Sequence, residues 1–441
     1  MVLIFSKENS PRLEYTVGLI FHDILRTEVT ITHDPVFFRN SKNPKINYSD
    51  TAMEDGLFLK SGSFLFTSNI QLPEIQPIQF GEETGFFETS PDSFLPFDPL
   101  ASTFLMVSRM EEYLPGARDH HGRFPAASSI QFKYGILEKP VVNRWAMLIA
   151  NALGEKYGSD LFPVKTFSFL CTIDVDNARA YQYKGFLRSL AATGRDLAHG
   201  HFREIRSRFR VLAGREKDPY DTFQYLKDCF KGNEEKVIFF FLLGNYARFD
   251  KQVSWKNKHF RELISDIGQH FRVGIHPSYA SSKSGQPSLI LAEKERLENI
   301  HSKKIIRSRQ HYLLLRFPET YRQVLLAGIT EDYSMGYPDM PGFRAGICTP
   351  FSFYDLKAEK TTPLKIYPFQ TMEVTFSQYL GYTHEEAMNK ILTLMEEVKS
   401  VGGSFCSIWH NESLSGEGKR KDFRDVFEEM IKTGFGYANR I

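Results

Sequence analysis

The stretch "FLCTIDVDN", residues 169–177, decides the fold, because it is an apolar run that ends abruptly in two aspartates, Asp174 and Asp176. Side chains two residues apart on a β-strand point to the same face, so both carboxylates lie on one side. Buried together without partners, they would repel each other and lose their hydration. This cost falls if one carboxylate binds a cation and the other meets an arginine. The spacing therefore predicts a metal site, and the alternative is a strand-end pair that caps the next helix or meets surface lysines.

Similar apolar runs recur after residue 164, separated by longer helical stretches. Strands that alternate with helices indicate parallel βα units, and near-continuous apolar runs are typical of strands covered on both faces. The rhythm predicts an α/β fold with a C-terminal irregular (β/α) barrel of seven or eight strands over residues 165–441. The predicted strands are 166–177, 236–245, 271–279, 303–311, 327–334, 342–351, 367–376 and 402–411.

The first 164 residues differ from the remainder in charge. They carry 14 Lys and Arg against 20 Asp and Glu, whereas the rest carries 41 against 33. Short apolar runs alternate here with turn-rich segments, which predicts a smaller N-terminal α/β domain over residues 1–164. The predicted elements are strands or short elements at 15–25 and 56–67 and helices at 98–114 and 139–158, the first beginning at Asp98-Pro99.

One basic segment interrupts the βα rhythm. Residues 184–217 hold nine Lys and Arg against three Asp and Glu, and we expect a basic helical insertion at about 178–220. A solvated helical face is one interpretation. An anionic lipid surface or an anionic substrate carrier are the functional alternatives.

Composition excludes several classes of protein. Hydrophobic content of 42% and charged content of 24% are those of a globular protein, and no apolar run reaches the roughly 20 residues that span a bilayer. No phosphate-binding glycine loop, dinucleotide fingerprint or nucleic-acid module is present. The four cysteines are far apart and form no CxxC pair, which favours reduced thiols. We therefore expect a cytoplasmic protein, in peripheral contact with a membrane if the basic segment binds one.

Polar residues follow several of the predicted strands. His276 ends "GIHPSY", Arg344 lies in "GFRAG", and His410 ends "SIWHN". A single histidine at a strand end is usually structural. In a parallel βα barrel, however, the C-terminal strand ends meet at one mouth, where active sites form. These residues are therefore predicted to converge there with Asp174 and Asp176. The pair His120-His121, in the loop "RDHHGRF", is interpreted as solvated surface rather than as a metal site.

Residues 165–411 resemble the NodB-homology polysaccharide deacetylases, which remove acetyl groups from sugars. The T-x-D-x-D strand of that family matches Thr172 to Asp176 here. The resemblance implies that Asp174 is the general base, that Asp176 and His276 bind a metal, and that Arg344 orients the base. It also implies that His410 protonates the leaving group and assigns the acidic residue of the fourth motif to Glu373.

The second histidine of the His-Ser/Thr-x-x-His motif is absent, because Ala280 stands at that position. A catalytic zinc usually has three protein ligands, so a substitute is needed. His311, in "RSRQHYL", is the predicted third ligand, and Asp332, in "TEDYS", is the competing candidate. Most of residues 1–160 resemble an uncharacterised α/β domain that precedes such deacetylase-like domains, through "LPFDPLASTFLMVSRMEEYL", "DHHGRF" and "VVNRWA".

The resemblance implies a metal-dependent hydrolase that removes acetyl groups from a sugar. Because the N-terminus does not resemble a secretory signal, we expect a cytoplasmic or lipid-linked glycan precursor as the substrate. Zinc is the expected metal, with cobalt or nickel as alternatives. A backbone N–H near Tyr279 is expected to stabilise the oxyanion, and Trp409 is a further candidate for substrate contact. Two other interpretations stay open: a catalytically decayed barrel that binds carbohydrate or assists assembly, and an amidohydrolase acting on a non-sugar amide. A decayed barrel would bind no metal tightly, whereas only substrate screening separates the two hydrolases.

Overall fold

A computed structural model describes residues 1–54, 56–158, 161–164, 166–415 and 421–439, without the side chains of 421 and 422. Lys165, at which the second predicted domain begins, and residues 440–441, at its end, lie outside this part of the chain. None of the described helices is both long and apolar enough to cross a bilayer.

The N-terminal part is built around a four-stranded parallel sheet in the described residues, with strand order β2-β1-β3-β4. The predicted element at 15–25 is helical, because its buried apolar residues follow a helical period, and 56–67 holds only one short strand. The strands are β1 (Val2–Phe5), β2 (Val29–Thr32), β3 (Lys45–Ser49) and β4 (Leu57–Lys60), followed by the antiparallel hairpin β5 (Ile78–Phe80) and β6 (Glu83–Gly85).

Helices pack on this sheet and begin where the sequence predicts. Asp98 caps the third helix by accepting hydrogen bonds from the backbone N–H groups of Leu100 (2.9 Å) and Ala101 (3.0 Å), and Pro99 occupies the first helical position. The helices of this part are α1 (Pro11–Gly18), α2 (Pro35–Asn40), α3 (Pro99–Val107), α4 (Met110–Tyr113), α5 (Ile130–Lys133) and α6 (Val141–Tyr157).

The C-terminal part contains a nine-stranded sheet in the described residues, ordered β12-β13-β11-β10-β9-β8-β7-β15-β14. β7 is buried on both faces from Cys171 to Val175, as its apolar run predicts. The strands are β7 (Ser168–Val175), β8 (Val237–Phe241), β9 (Arg272–Ile275), β10 (Arg307–Ser308), β11 (Glu331–Asp332), β12 (Phe351–Asp355), β13 (Lys360–Ile366), β14 (Thr371–Met372) and β15 (Ser404–His410).

The predicted irregular (β/α) barrel of seven or eight strands is confirmed only in part: the fold is α/β, but it differs from the prediction in two respects. Within the described residues, the edge strands β12 and β14 do not pair with each other, so the sheet is open. The predicted strand 342–351 is irregular backbone with two positive φ angles, at Gly342 (131°) and Gly346 (65°), and β-strands do not accommodate these. The sheet is completed instead by β12 and β13, an antiparallel pair that the βα rhythm does not predict.

Helices connect the parallel strands, and two of them form the insertion after β7. We call the pair α7 (Phe186–Ala198) and α8 (Phe202–Leu212) the α7–α8 hairpin. The remaining helices are α9 (Phe223–Phe230), α10 (Lys258–His270), α11 (Tyr279–Ser284), α12 (Pro287–His301), α13 (Glu319–Leu326), α14 (His384–Ser400) and α15 (Lys421–Ala438).

The two parts of the chain share one hydrophobic core. A single cluster of buried apolar side chains extends from Val2 to Phe435 and includes members of both sheets. Buried ion pairs also join the parts: Arg12 contacts Glu359 at 2.6 Å, and Glu112 contacts Arg344. The boundary near residue 164 stays a prediction, and the shared core shows that the two parts pack tightly together.

Candidate metal centre and active site

Asp176 lies at the centre of a cluster of histidines. Its Oδ1 atom is 3.1 Å from His276 Nε2, and its Oδ2 atom is 3.4 Å from His311 Nε2 and 3.7 Å from His410 Nε2. One ligand atom from each of Asp176, His276 and His311 falls within 4.8 Å of the others, so these three residues could hold a metal ion. The structure thus brings together the three residues predicted as ligands.

Parallel strands deliver these side chains to one edge of the sheet. β15 pairs with β7 in a register that puts His410 opposite Asp174. β8 and β9 follow on the other side of β7, and His276 comes directly after β9. His311 lies in the turn just beyond β10. Because the carboxyl ends of parallel strands meet at one edge, residues far apart in sequence converge there.

Hydrogen bonds on the far ring nitrogens hold two of the histidines in place. His276 Nδ1 lies 2.5 Å from the backbone carbonyl oxygen of Arg309, and His311 Nδ1 lies 3.0 Å from Asp250 Oδ1. Both partners are acceptors, so each histidine donates from Nδ1 and turns Nε2 towards Asp176. Metal-binding histidines are commonly oriented in this way. Two imidazoles and one carboxylate fit a divalent transition metal such as zinc, cobalt or nickel.

The electrostatics of the site favour a bound positive charge. Burial opposes the ionisation of Asp176, but His311, His276 and His410 outweigh it and hold the pKa of its carboxyl well below the usual range. Burial likewise disfavours the charged form of His311, yet Asp176 and Asp250 raise its pKa to about 9. The carboxylates therefore favour the protonated form of His311 when no other cation balances them, and a metal ion would take over that role.

Asp174, the predicted base, meets a different arginine from the one expected. Its Oδ1 atom lies 3.6 Å from Arg309 Nη1, and Arg309 is completely buried between the rings of Phe240 and Phe369. Among the described carboxylates, only that of Asp174 is within ion-pairing distance of Arg309. Arg344 was expected to orient this base, and the structure corrects that assignment to Arg309.

Arg344 is already fully used elsewhere. Its guanidinium makes a bidentate pair with Glu112 at 2.9 and 2.5 Å and donates to the Gly336 carbonyl at 3.0 Å. Arg109 binds the same carboxylate at 2.9 Å and the hydroxyl of Tyr337 at 2.8 Å. We call Arg109, Glu111, Glu112, Tyr337 and Arg344 the Arg344 cluster. Arg344 does not meet Asp174 because Glu112, from the N-terminal part, already accepts both hydrogen bonds of its guanidinium fork.

His410, the predicted acid, has a carboxylate behind it. Glu373 accepts hydrogen bonds from the Nδ1 atom of His410 at 2.7 Å and from its backbone N–H at 3.0 Å. Burial opposes protonation of this ring, but Glu373, followed by Asp176 and Asp174, raises the pKa of His410 well above its ordinary value. Glu373 comes directly after β14, so the residue assigned from the fourth motif lies beside His410.

Asp332, the competing third ligand, does not face the metal cluster. Its carboxylate accepts hydrogen bonds from the Ser308 hydroxyl (2.8 Å) and from the Ser334 N–H (2.9 Å), and it is completely buried. Burial raises the pKa of Asp332. The metal cluster of the described residues contains His311 and not Asp332, because β11 ends one strand farther from β7 than β10 does.

Two other predicted contacts are corrected. The backbone N–H of Tyr279, expected to face an oxyanion, donates instead to Asp250 at 2.8 Å, and that of Ala280 donates to the same carboxylate at 3.1 Å. Trp409 points to the opposite face of β15 from His410 and packs on Phe427 with ring centroids 5.0 Å apart. It is 2% exposed and is therefore a core residue, out of reach of a substrate.

An aromatic rim surrounds the cluster, and the N-terminal part contributes to it. The buried His121 packs on the rings of Tyr312 (4.7 Å between centroids), Phe249 (5.4 Å) and Tyr279 (5.6 Å). Tyr312 in turn contacts the ring of His311 at 4.6 Å. The interpretation of His121 as solvated surface is therefore wrong. We call His121, Phe249, Tyr279 and Tyr312 the aromatic rim.

Sequence reasoning missed Arg309 and Asp250 as well as His121. Arg309 precedes His311 by two residues, a spacing that resembles the pair Asp174 and Asp176 and could have drawn attention to it. Asp250 lies in a loop without regular secondary structure, and nothing in the sequence near it signals a partner for His311.

Comparisons with known proteins concern each part separately. Residues 2–158 match the model of a family of unknown function (DUF7033). No curated protein matches the chain. Among solved structures, a protein from Mycobacterium smegmatis described as a polysaccharide deacetylase is similar, with 14% identity over 60% of this chain and 84% of that chain and a TM-score of 0.39.

Two further solved structures are similar to this chain. A polysaccharide deacetylase from Bacillus cereus shares 10% identity over 61% of this chain and 88% of its own, with a TM-score of 0.30. Puue allantoinase shares 12% identity over 64% of this chain and 89% of its own, with a TM-score of 0.39. At these identities and scores, the function of this chain is inferred from the site itself.

Proposed function

We propose that the protein is a metal-dependent hydrolase that removes acetyl groups from an acetylated sugar or glycan precursor. One observation carries the proposal: Asp176, His276 and His311 form a ligand set directly beside a second carboxylate, Asp174, and a carboxylate-backed histidine, His410. A ligand set, a base and an acid within one cluster are the parts needed for hydrolysis of an amide or ester.

The metal would be held by Asp176 Oδ and by the Nε2 atoms of His276 and His311. Bound there, a divalent cation supplies Lewis-acid chemistry, polarising the acetyl carbonyl and making water a better nucleophile. Zinc fits the donor set, with cobalt or nickel as alternatives. The acceptors behind the rings, the Arg309 carbonyl and Asp250, keep the Nε2 atoms free to bind it.

Asp174 accepts the proton of the attacking water. It is buried, and its Oδ2 atom is 3.9 Å from His276 Nε2, so it lies beside the ligand set without belonging to it. Arg309, whose Nη1 atom is 3.6 Å from Oδ1 of this carboxylate, fixes its orientation. Arg309 acts through Asp174 and is therefore a positioning residue.

His410 donates a proton to the departing amine or alkoxide. Its Nε2 atom faces Asp176, while Glu373 accepts the hydrogen bond from Nδ1. The negative charge of Glu373 stabilises the imidazolium form, which is the form that has a proton to give. Asp174 and His410 flank Asp176 from adjacent strands, so base and acid approach the acetyl group from neighbouring positions.

The aromatic rim supports a sugar as the substrate. Sugar rings bind proteins through their apolar faces, and half-buried aromatic side chains at the edge of a polar site suit such stacking. Tyr279 and Tyr312 are half-buried; Tyr312 contacts the ring of His311, and Tyr279 contacts Tyr312. His121 brings a side chain from the N-terminal part to the same rim, which gives that part a role in substrate contact.

We also propose that the α7–α8 hairpin contacts an anionic membrane surface, which would bring a lipid-linked precursor to the site. The two helices of the hairpin expose apolar side chains to solvent: Phe186 is 79% exposed, Leu187 78% and Phe202 66%. The charged side chains of Asp196 and Arg208, by contrast, are buried. A soluble helix normally buries its apolar face. The excess of Lys and Arg over residues 184–217 makes anionic phospholipid the partner that fits.

Vesicle sedimentation tests the membrane contact. We expect the protein to bind phosphatidylglycerol vesicles more strongly than phosphatidylcholine vesicles, and the variant Leu187→Glu/Phe202→Glu to lose this binding. Val36→Glu/Phe37→Glu, on exposed apolar residues of α2, is the matched control and should bind like the wild type. Equal binding by wild type and the hairpin variant contradicts the contact. A dimer that the hairpin variant abolishes would assign the face to a second copy of the chain.

The hydrolase is tested first by elemental analysis of protein purified without chelator. We expect close to one divalent metal per chain in the wild type and loss of the metal in Asp176→Ala, His276→Ala and His311→Ala. The variant His120→Ala, which removes an exposed neighbouring histidine, and Asp332→Asn, which removes the competing ligand, should keep the metal. Acetate release from N-acetylated and O-acetylated oligosaccharides then tests the substrate class.

Two outcomes contradict the proposal. Wild-type protein that binds no metal even with added zinc, cobalt or nickel would favour a decayed, non-catalytic barrel. Metal-loaded protein that releases acetate from simple amides but not from acetylated sugars would favour an amidohydrolase on a non-sugar substrate.

A further inference from the structure

A cavity of about 790 Å³ lies between the α7–α8 hairpin and the carboxyl end of β7. This volume is within the roughly 300–1,000 Å³ of small-molecule sites. Asn177, which directly follows the predicted ligand Asp176, forms part of its wall, as does Tyr220. The Asn411 side chain, next to His410, donates hydrogen bonds to the backbone carbonyls of both wall residues, at 3.1 and 2.9 Å. The cavity therefore lies beside the chain segments that carry Asp176 and His410, although the ligand set itself is outside its lining.

Positive charge dominates the cavity wall. Two carboxylates, Asp196 and Glu204, face six cations: Lys184, Arg188, Arg195, Arg203, Arg208 and Lys251. Some of the cations have structural partners. Arg208 binds Asp196 at 2.5 Å and thereby joins α8 to α7, and Arg188 donates to the backbone carbonyls of Lys251 and Gln252 at 2.8 and 3.1 Å.

Other cations of the wall have no such partner. Among the described residues, no carboxylate lies within ion-pairing distance of Lys184, Arg203 or Lys251. Lys184 is half-buried, and burial together with the nearby Arg188 lowers its pKa to about 8. Crowding like charges in a concave wall is unfavourable, and the crowding is relieved when a polyanion binds between them.

We propose that this cavity binds the phosphate groups of the substrate, a sugar phosphate or diphosphate, and so holds its acetylated sugar at the metal centre. The inference rests on the proposed deacetylation and names the class of substrate. Lys184, Arg203 and Lys251 provide charge for phosphate oxygens, and several converging cations suit a diphosphate better than a single carboxylate. The hairpin then serves two purposes, with a cationic face towards the cavity and an apolar face towards the outside.

Isothermal titration calorimetry with inorganic pyrophosphate tests the cavity. We expect wild-type protein to bind it and the variant Lys184→Ala/Arg203→Ala to bind at least about tenfold more weakly, since two charge-assisted contacts are lost. The matched control is Arg206→Ala/Arg215→Ala, which removes the same charge from the same segment outside the cavity wall and should bind like the wild type. Equal weakening in both variants, or no binding by the wild type, overturns the proposal.

A second arm separates the cavity from the metal centre, because pyrophosphate also binds metals. The variant His311→Ala, in which the ligand set is broken, should bind pyrophosphate like the wild type. If this variant no longer binds pyrophosphate, the anion binds at the metal centre, and the proposal that the cavity binds it is overturned. Because pyrophosphate binding is measured without catalysis, the proposed anion site can be confirmed or rejected independently of the proposed deacetylation.

A third arm separates a substrate phosphate from a lipid headgroup. Phosphatidylglycerol vesicles should not displace pyrophosphate from the wild type, since the apolar face that meets lipid lies on the other side of the hairpin. Displacement in proportion to vesicle concentration would assign the cavity to a lipid headgroup and overturn its assignment to the substrate.

Discussion

The metal centre and the Arg344 cluster are both buried and both rich in charge, yet they differ in how fully their charges are paired. In the Arg344 cluster, Glu112 accepts from two guanidinium groups, and Glu111 accepts from Arg109 at 2.5 Å and from the backbone N–H of Ile130 at 2.8 Å. At the metal centre, by contrast, Asp174 Oδ1 has no hydrogen-bond partner among the described residues and meets Arg309 only at 3.6 Å.

The difference teaches how to separate structural charge from functional charge. A buried polar group normally has its hydrogen bonds satisfied, and an exception calls for an explanation such as a bound ion or a reacting group. Burial opposes the ionisation of Glu112, but Arg344 and Arg109 hold its pKa below the usual range, so this cluster is complete as folded. On the proposed function, a bound cation would balance the carboxylates of the metal centre, and variants in the two regions test this contrast.

The largest effect is expected on activity when the base is removed. Asp174→Asn should lower kcat/KM for acetate release by about 10²–10⁴-fold, because a positioned general base contributes about this much. The change also removes the carboxylate partner of the buried Arg309, so the free energy of unfolding is measured beside activity, to separate loss of the base from loss of folded protein. Kinetics and urea unfolding measure the two quantities. An Asp174→Asn variant with wild-type activity would contradict the assignment of the base.

The largest effect on stability is expected in the Arg344 cluster. Arg344→Met leaves the Glu112 carboxylate buried with one guanidinium fewer, and breaking a buried pair in this way costs about 3–5 kcal/mol. The control is Lys357→Met, which breaks a pair with Glu319 that is exposed on both sides and should cost at most about 1 kcal/mol. If both variants unfold at the same urea concentration, the Arg344 cluster is not what joins the two parts of the chain.

A smaller effect, on metal affinity, is expected when a residue that supports a predicted metal ligand is removed. Asp250→Ala removes the acceptor of His311 Nδ1 and should weaken metal affinity about 10–100-fold, as loss of such partners typically does. Competition with a coloured chelator measures the affinity directly. Asp266→Ala, which removes an exposed carboxylate outside the cluster, is the control. Unchanged affinity in Asp250→Ala would show that His311 is oriented without it.

The smallest effect is expected on the free energy of unfolding when Asp98 is changed. This buried carboxylate accepts hydrogen bonds but has no ion-pair partner among the described residues. Asp98 accepts from Tyr48 and caps α3, and burial raises its pKa to about 6. The folded state therefore binds the proton more tightly than the unfolded state, so stability falls as pH rises from about 4 to 6. Asp98→Asn keeps the acceptor without the charge and should stabilise the protein by about 1–2 kcal/mol at pH 7, with no gain at pH 4.

Thermal unfolding at the two pH values checks the sign of this effect. Asp34→Asn is the control, because Asp34 caps α2 in the same way but is exposed, and it should bring no gain at either pH. A gain in Asp98→Asn that is equal at pH 4 and pH 7 would contradict the assigned cause.

Local patterns predicted much of the C-terminal fold. The apolar runs predicted β7, β8, β9 and β15, since each strand is buried on both faces and needs apolar residues along its whole length. The stretch 342–351 looked similar, but its positive φ angles at Gly342 and Gly346 turn the chain away from the sheet. Apolar content reports burial and does not by itself distinguish a strand from a buried loop.

Partners of the site residues were predictable only in part. His311 was identified because it ends a predicted strand, whereas Glu373 was assigned only through the resemblance to the fourth deacetylase motif. The resemblance assigned Arg344 as the arginine beside Asp174, because nothing in the sequence around Arg309 or Arg344 shows which of the two meets that carboxylate. The deciding fact is that Glu112 binds Arg344, and Glu112 lies 232 positions away in the chain.

The sequence by itself determined which side chains the strands deliver, since two-residue spacing and the direction of parallel strands are local properties that place Asp174, Asp176, His276 and His410 at one edge. Only the tertiary structure decided how these side chains pair, that Asp250 supports His311, and that the hairpin turns its apolar face outward. Those outcomes depend on loop paths and on contacts between distant residues, and side-chain pairing follows from the three-dimensional position of the partner rather than from its position in the sequence.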